Sequence, residues 1–170
     1  QADDLDDLSP AAKNLANNRY FPHIRAHKQW KQGIQGYLAS IYFADAMLGR
    51  VLDALEKGPH ADNTIVALWS DHGWHLGEKE HWQKFTTWRV CSRVPFMLRV
   101  PKGAPGLIDG TRPASCSKPV NLRSLAPTLL ELCGLPPRKI HDGPSLAPLL
   151  VNPKAKWSHV SLTHLHHPGS

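Results

Sequence analysis

At 170 residues, 41% hydrophobic and 20% charged, the chain has the composition of a soluble protein and the length for one modest domain with a core of its own. No apolar run approaches the length of a membrane span and no basic-then-apolar leader opens the sequence; a start at Gln1 rather than methionine leads us to expect a processed or partial polypeptide. The net charge of +6 comes from lysines and arginines that are scattered rather than clustered among aromatics, so a nucleic-acid partner is not expected and a small anion is.

Residues 1–28 read as an irregular approach segment. Asp3, Asp4, Asp6 and Asp7 form an acidic run expected to be solvated surface, Ser9-Pro10 is a turn signal, and Phe21-Pro22-His23 should break any helix. Residues 29–170 read as the folded body. Between Trp30 and Lys57, Ile34, Leu38, Ile41, Met47, Leu48, Val51, Leu52 and Leu55 recur at spacings of three and four, with Tyr37 and Ala44 on the same face. That pattern predicts a long helix, stopped by Gly58 and Pro59. Asp62-Asn63 then turns the chain into Thr64-Ile65-Val66-Ala67-Leu68-Trp69, apolar on both faces as a central parallel strand must be. A helix feeding such a strand predicts an α/β fold, a mostly parallel sheet flanked by helices.

A second strand is predicted at residues 94–100, with Pro95 confined to its start or to an unpaired edge. A glycine- and proline-rich loop follows over residues 102–119. Next comes a helix from Leu125 to Cys133, with Pro127 in its first turn and Gly134 past its end. Residues 145–150 read as a short helical piece, and the tail from Thr163 and His164 to Ser170 adds no element. Cys91, Cys116 and Cys133 lack metal-type spacing and are expected to be small buried hydrophobes.

The chemistry gathers just past the first strand, where open α/β sheets hold their ligands. Asp71 offers hard oxygen suited to Ca²⁺ or Mg²⁺. His72 would add a nitrogen ligand or hydrogen-bond the anion. Gly73 is expected to allow a backbone conformation that a larger residue resists. Lys84, thirteen residues beyond Asp71, is a mobile point charge suited to a sulfate, phosphate or carboxylate oxygen. Together these groups would hold an anionic ester and stabilise charge developing on it. The competing reading makes Asp71 the cap of the next turn and His72 a hydrogen-bonded surface residue. His75 and His81 either line the pocket or serve the loop; His81 beside Trp82 fits a packed aromatic pair. Lys79, between Glu78 and Glu80, is expected to be a solvated charge.

These residues also carry a resemblance. Tyr37-Leu38-Ala39-Ser40-Ile41, Asp45-Ala46, Gly49-Arg50-Val51-Leu52-Asp53-Ala54-Leu55, Asp62-Asn63-Thr64 and, above all, Trp69-Ser70-Asp71-His72-Gly73-Trp74-His75-Leu76-Gly77-Glu78 resemble the sulfatase family, in particular its iduronate-2-sulfatase-like and bacterial branches. Arg93-Val94-Pro95, Pro119-Val120, Leu125-Ala126-Pro127-Thr128-Leu129, Cys133-Gly134-Leu135-Pro136 and the stretch from Gly143 to Leu150 continue the match in order, over most of residues 30–165.

The resemblance implies an alkaline-phosphatase-like α/β fold and hydrolysis of sulfate esters, on a sulfated glycan or a small sulfate ester. It matches Asp71 and His72 to metal ligands, Ca²⁺ before Mg²⁺, and Lys84 to a lysine that contacts the substrate sulfate and serves catalysis. His75 and His164 fall where substrate contacts are expected, His164 by a loose alignment. For a full-length enzyme it favours periplasm or secretion over the cytoplasm.

The departures are equally definite. Family members act through a cysteine in a Cys-x-Pro/Ala-x-Arg motif, oxidised to formylglycine. Cys91, Cys116 and Cys133 all lack that context. The N-terminal aspartate pair of the metal site has no counterpart either, because Asp3-Asp4 and Asp6-Asp7 follow no strand, and Arg89-Val90 stands where close relatives tend to be acidic. The expectation is a partial catalytic domain with half a metal site and a sulfate-binding lysine, inactive alone. The alternatives are a phosphatase or phosphodiesterase of the same superfold and a non-catalytic binding module.

Overall fold

The structure, a computed structural model, describes residues 4–16 and 19–165. Asp3 of the acidic run and residues 166–170 of the tail lie outside the described residues. The chain forms two compact units: Gln1–Ala54, His72–Val94 and His164–Ser170 make the first, Leu55–Asp71 and Pro95–Thr163 the second.

The first unit opens with two short helices where an irregular segment was expected: α1 (Pro10–Ala16) and α2 (Tyr20–Ala26). Both prolines sit at helix starts. Pro10 takes the first helical position, beside Ser9, whose Oγ accepts from Ala12 N at 3.3 Å. Pro22 is the third residue of α2, where a backbone N–H has no intrahelical partner to lose. The acidic run is likewise not simply solvated, as described below. Helix α3 (Trp30–Glu56) matches its predicted span to within a residue. It buries no side chain: Leu38, Ile41, Tyr42, Phe43 and Val51 are all exposed, Tyr42 by 79%. The remainder of the unit is a small antiparallel hairpin, β2 (His75–Leu76) with β3 (Trp82–Gln83), and the single-turn helix α4 (Arg89–Ser92).

Gly73 is needed for space rather than for an unusual φ. Its N–H bonds Cys91 O at 2.7 Å, and a Cβ there would run into the Val90 carbonyl.

In the second unit β1 (Val66–Trp69) pairs antiparallel with β4 (Phe96–Arg99), in the register Val66↔Arg99 to Trp69↔Phe96. The parallel neighbour expected for β1 is not among the described strands. A parallel return needs a crossover connection, usually a helix. The segment between β1 and β4 holds only the hairpin and α4, and the chain comes back antiparallel. With one neighbour, β1 is partly buried rather than enclosed, and Trp69 is exposed. Pro95 precedes β4 as expected, and its carbonyl accepts from Ser70 N at 3.2 Å.

Beyond β4, Val100, Ala104, Leu107 and Leu132 form the core, with Ile65 and Leu150 packed against it. Ala104 and Leu107 come from the loop predicted only as a connector. Helix α5 (Leu125–Leu132) ends on Gly134 at φ 68°, with Gly134 N bonded to Glu131 O and Leu135 N to Leu130 O, the paired bonds of a glycine-terminated helix. Helix α6 (Ala147–Val151) follows. The fully buried Thr128 ties the two together: its hydroxyl donates to Ser124 O at 2.5 Å and accepts from Leu146 N at 2.9 Å. All three cysteines are free thiols, and only Cys91 is buried. Cys133 caps α5 as the chain turns outward, and Cys116 lies in the exposed loop, so the expectation of buried small hydrophobes fails for both.

Candidate functional site

The loop from His72 to Trp88 is fastened mainly by polar bonds. His75 is 0% exposed. Its Nδ1–H donates to Glu78 O at 2.9 Å, which leaves Nε2 to accept from Thr86 Oγ1 at 2.7 Å. Burial pushes its pKa below the ordinary 6.5, so the ring is held neutral. Trp88 and His81 stand edge-on to it, with ring centroids at 5.6 and 4.8 Å. His75, read from the sequence as a substrate contact, has both nitrogens engaged inside the loop.

Lys79 is a clasp rather than a solvated charge. Its backbone N–H donates to Asp4 Oδ2 at 2.6 Å, and its amine reaches Asp4 O and Asp7 Oδ1, each at 2.7 Å. The bond from the Lys79 backbone, with the nearby ammonium, holds the Asp4 carboxyl below its usual range. Trp30 at the start of α3 adds a bond from Nε1 to Leu76 O at 2.6 Å and meets Phe21 edge-on at 5.1 Å. No sequence spacing points to Asp4 or Asp7, because the partners lie more than seventy residues apart.

His81 is buried, with Nδ1 2.8 Å from Leu15 O and Nε2 2.9 Å from Lys84 O. A carbonyl oxygen only accepts, so whichever ring nitrogen carries the hydrogen donates to the carbonyl it faces.

Lys84 and His72 meet. The amine lies 2.9 Å from His72 Nε2, and His72 Nδ1 lies 2.8 Å from Gly73 O. Because Nδ1 must donate to that carbonyl, Nε2 carries the lone pair and accepts from the ammonium. The amine also lies 5.3 Å above the Phe85 ring. Lys84 sits between two strained residues, Gln83 at φ 83° and Phe85 at φ 70°; Lys79 and Glu80 in the same loop have φ of 55° and 50°. Such conformations cost roughly 1–3 kcal/mol each in non-glycine residues and cluster at functional sites.

Asp71 is exposed and is the last residue of its unit before the chain enters the other at His72; His164 is also exposed. Among the described residues no three His, Cys, Asp or Glu side chains form a metal-binding group. Asp71 supplies a hard oxygen of the kind Ca²⁺ and Mg²⁺ take, and His72 one imidazole nitrogen that Lys84 now occupies. Two donors are far short of the six to eight oxygens that Ca²⁺ gathers.

The sulfatase family model matches residues 8–135. A sulfatase of Formosa agariphila is 38% identical over 153 residues, which are 88% of this chain and 29% of that protein. The iduronate 2-sulfatase of Mus musculus is 42% identical over 120 residues, 60% of this chain and 22% of that protein. An N-acetylglucosamine-6-O-sulfatase of Bacteroides thetaiotaomicron is 32% identical over 139 residues, 80% of this chain and 24% of that protein. The chain thus spans less than a third of the length of these relatives. Among solved structures, a protein in complex with its substrate D-glucosamine-2-N,6-O-disulfate is 29% identical with a TM-score of 0.56, covering 73% of this chain and 24% of that one. The likeness places the α/β architecture described above in the alkaline-phosphatase-like fold of these enzymes.

Proposed function

Because the chain belongs to the sulfatase family, we propose that it forms part of a sulfuric ester hydrolase acting on a sulfated carbohydrate. The observation that carries the reading is the meeting of Lys84 and His72 at 2.9 Å, in the stretch that opens at the end of β1. A half-buried ammonium held by an imidazole nitrogen is a ready contact for a tetrahedral oxyanion. On release from His72 it would neutralise the sulfate, and with it the charge that grows on the ester oxygen as the S–O bond breaks. In this reading Lys84 is the catalytic and substrate-binding residue, while His75 frames the loop. His164 is kept as a candidate substrate contact.

Asp71 and His72 would hold half of a divalent cation site, for Ca²⁺ in preference to Mg²⁺; when bound, the cation would polarise the sulfate oxygens. His72 can serve that role only when its Nε2 is free of Lys84. The remaining ligands would come from other polypeptide, as would a formylglycine nucleophile, since none of the three cysteines has the required sequence context. The apolar side chains that α3 leaves exposed, Leu38, Ile41, Tyr42, Phe43 and Val51, support a completing partner, because a contiguous apolar patch of this kind marks a surface that another polypeptide covers.

The test is hydrolysis of an aryl sulfate. Residues 1–170 alone should give none, and a polypeptide carrying the N-terminal, formylglycine-bearing part of a related sulfatase should restore it in a Lys84-dependent way. Hydrolysis by residues 1–170 alone would overturn the account of the nucleophile.

A further inference from the structure

Resting on the reading of Lys84 as the sulfate contact, we propose that His81 is a positioning residue that holds the strained turn presenting the Lys84 amine. Two independent observations meet here. The buried ring spans two carbonyls, Leu15 O at 2.8 Å and Lys84 O at 2.9 Å. And Lys84 lies between two residues at positive φ, Gln83 and Phe85, a conformation that persists only where surrounding structure enforces it.

The bond to Lys84 O acts at the right place. That carbonyl belongs to the peptide plane joining Lys84 to Phe85, so restraining it restrains the rotation that sets φ of Phe85. The other end of the ring lies against Leu15 O, in the last turn of α1. His81 is therefore wedged between a helix end and a turn that needs a restraint, and its Nε2–H donates to the turn. His75, edge-on at 4.8 Å and neutral, packs against the same ring. Without His81 the turn would relax, and the amine would lose its fixed position beside His72.

The experiment is an NMR titration of the 170-residue chain with inorganic sulfate, with far-UV circular dichroism to check the fold of each variant. Lys84→Met should abolish specific sulfate binding. His81→Ala and His81→Gln should weaken it roughly tenfold or more while Lys84 is still present. Adding Phe85→Gly to His81→Ala should restore most of the loss, because glycine takes φ near 70° without strain and needs no restraint; a role in general stability would not be rescued this way. If His81→Ala does not fold, His81→Gln decides, since its amide keeps one donor on the same side chain. Loss of binding in Lys84→Met with unchanged binding in the His81 variants overturns this inference alone. Binding that is the same with and without Lys84 overturns the reading of the site on which it rests.

Discussion

The two units of this chain are held together by different physics. In the second, the buried side chains are mostly apolar: Val100, Ala104, Leu107, Leu132, Leu146, Ala147 and Leu149, with the hydroxyls of Ser124 and Thr128 among them. In the first, the buried apolar side chains are Ala16, Phe21 and Cys91, and beside them lie His75, His81 and Thr86. Apolar burial is non-directional and tolerates many sequences of the right volume. Hydrogen bonds to buried groups are directional, and removing one partner leaves the other unsatisfied. The unit that carries Lys84 is thus the one whose geometry is specified bond by bond, as a group that must be aimed requires.

The largest effect should come from breaking the apolar side of this contrast. Leu132→Ala removes a fully buried side chain at the centre of the core and should lower unfolding stability by about 2–5 kcal/mol, read by urea denaturation. On the polar side, His75→Ala strands the Thr86 hydroxyl and the Glu78 carbonyl and should cost on the order of 2–3 kcal/mol in the same assay, with the loss concentrated in hydrogen exchange over residues 72–94. Thr128→Val should cost about 1–3 kcal/mol, because Leu146 N loses its acceptor inside the core; an unchanged midpoint would mean that the hydroxyl bridge adds nothing to the packing of α5 on α6.

Acidification should separate the units. His75 has its pKa pushed below the ordinary 6.5 by burial, so below that pH the unfolded chain binds a proton that the folded ring resists. Stability contributed by the neutral ring is present above 6.5 and is lost as pH falls toward the folded value. Asp4, also lowered, adds a second loss of the same sign below 3.8. Exchange protection in the first unit should therefore fall on acidification earlier than in the second, whose buried polar groups Ser124 and Thr128 do not titrate in this range. Equal loss in both units would dissolve the distinction. The smallest effect is expected from Ser124→Ala: its buried Oγ has no hydrogen-bond partner among the described residues, so the change should stay within about 0.5 kcal/mol or stabilise.

Local chemistry was readable from the chain itself. The three- and four-residue spacing of apolar side chains set α3 to within a residue, Gly134 and Pro127 bounded α5, and Asp71, His72 and Lys84 stood out as groups able to meet an anion. These follow from periodicity, φ preference and side-chain type, which act over a few residues. What the sequence could not tell was decided by partners far apart along the chain. Pro22 proved compatible with a helix because α2 begins just before it. β1 runs antiparallel because no crossover helix separates it from β4. Asp4 and Asp7 reach Lys79 across more than seventy residues, and His81 joins Leu15 to Lys84. A hydrogen bond across such a separation leaves no periodic trace in the residues between its ends, so only the tertiary structure decides which polar side chains are solvated and which hold the site in place.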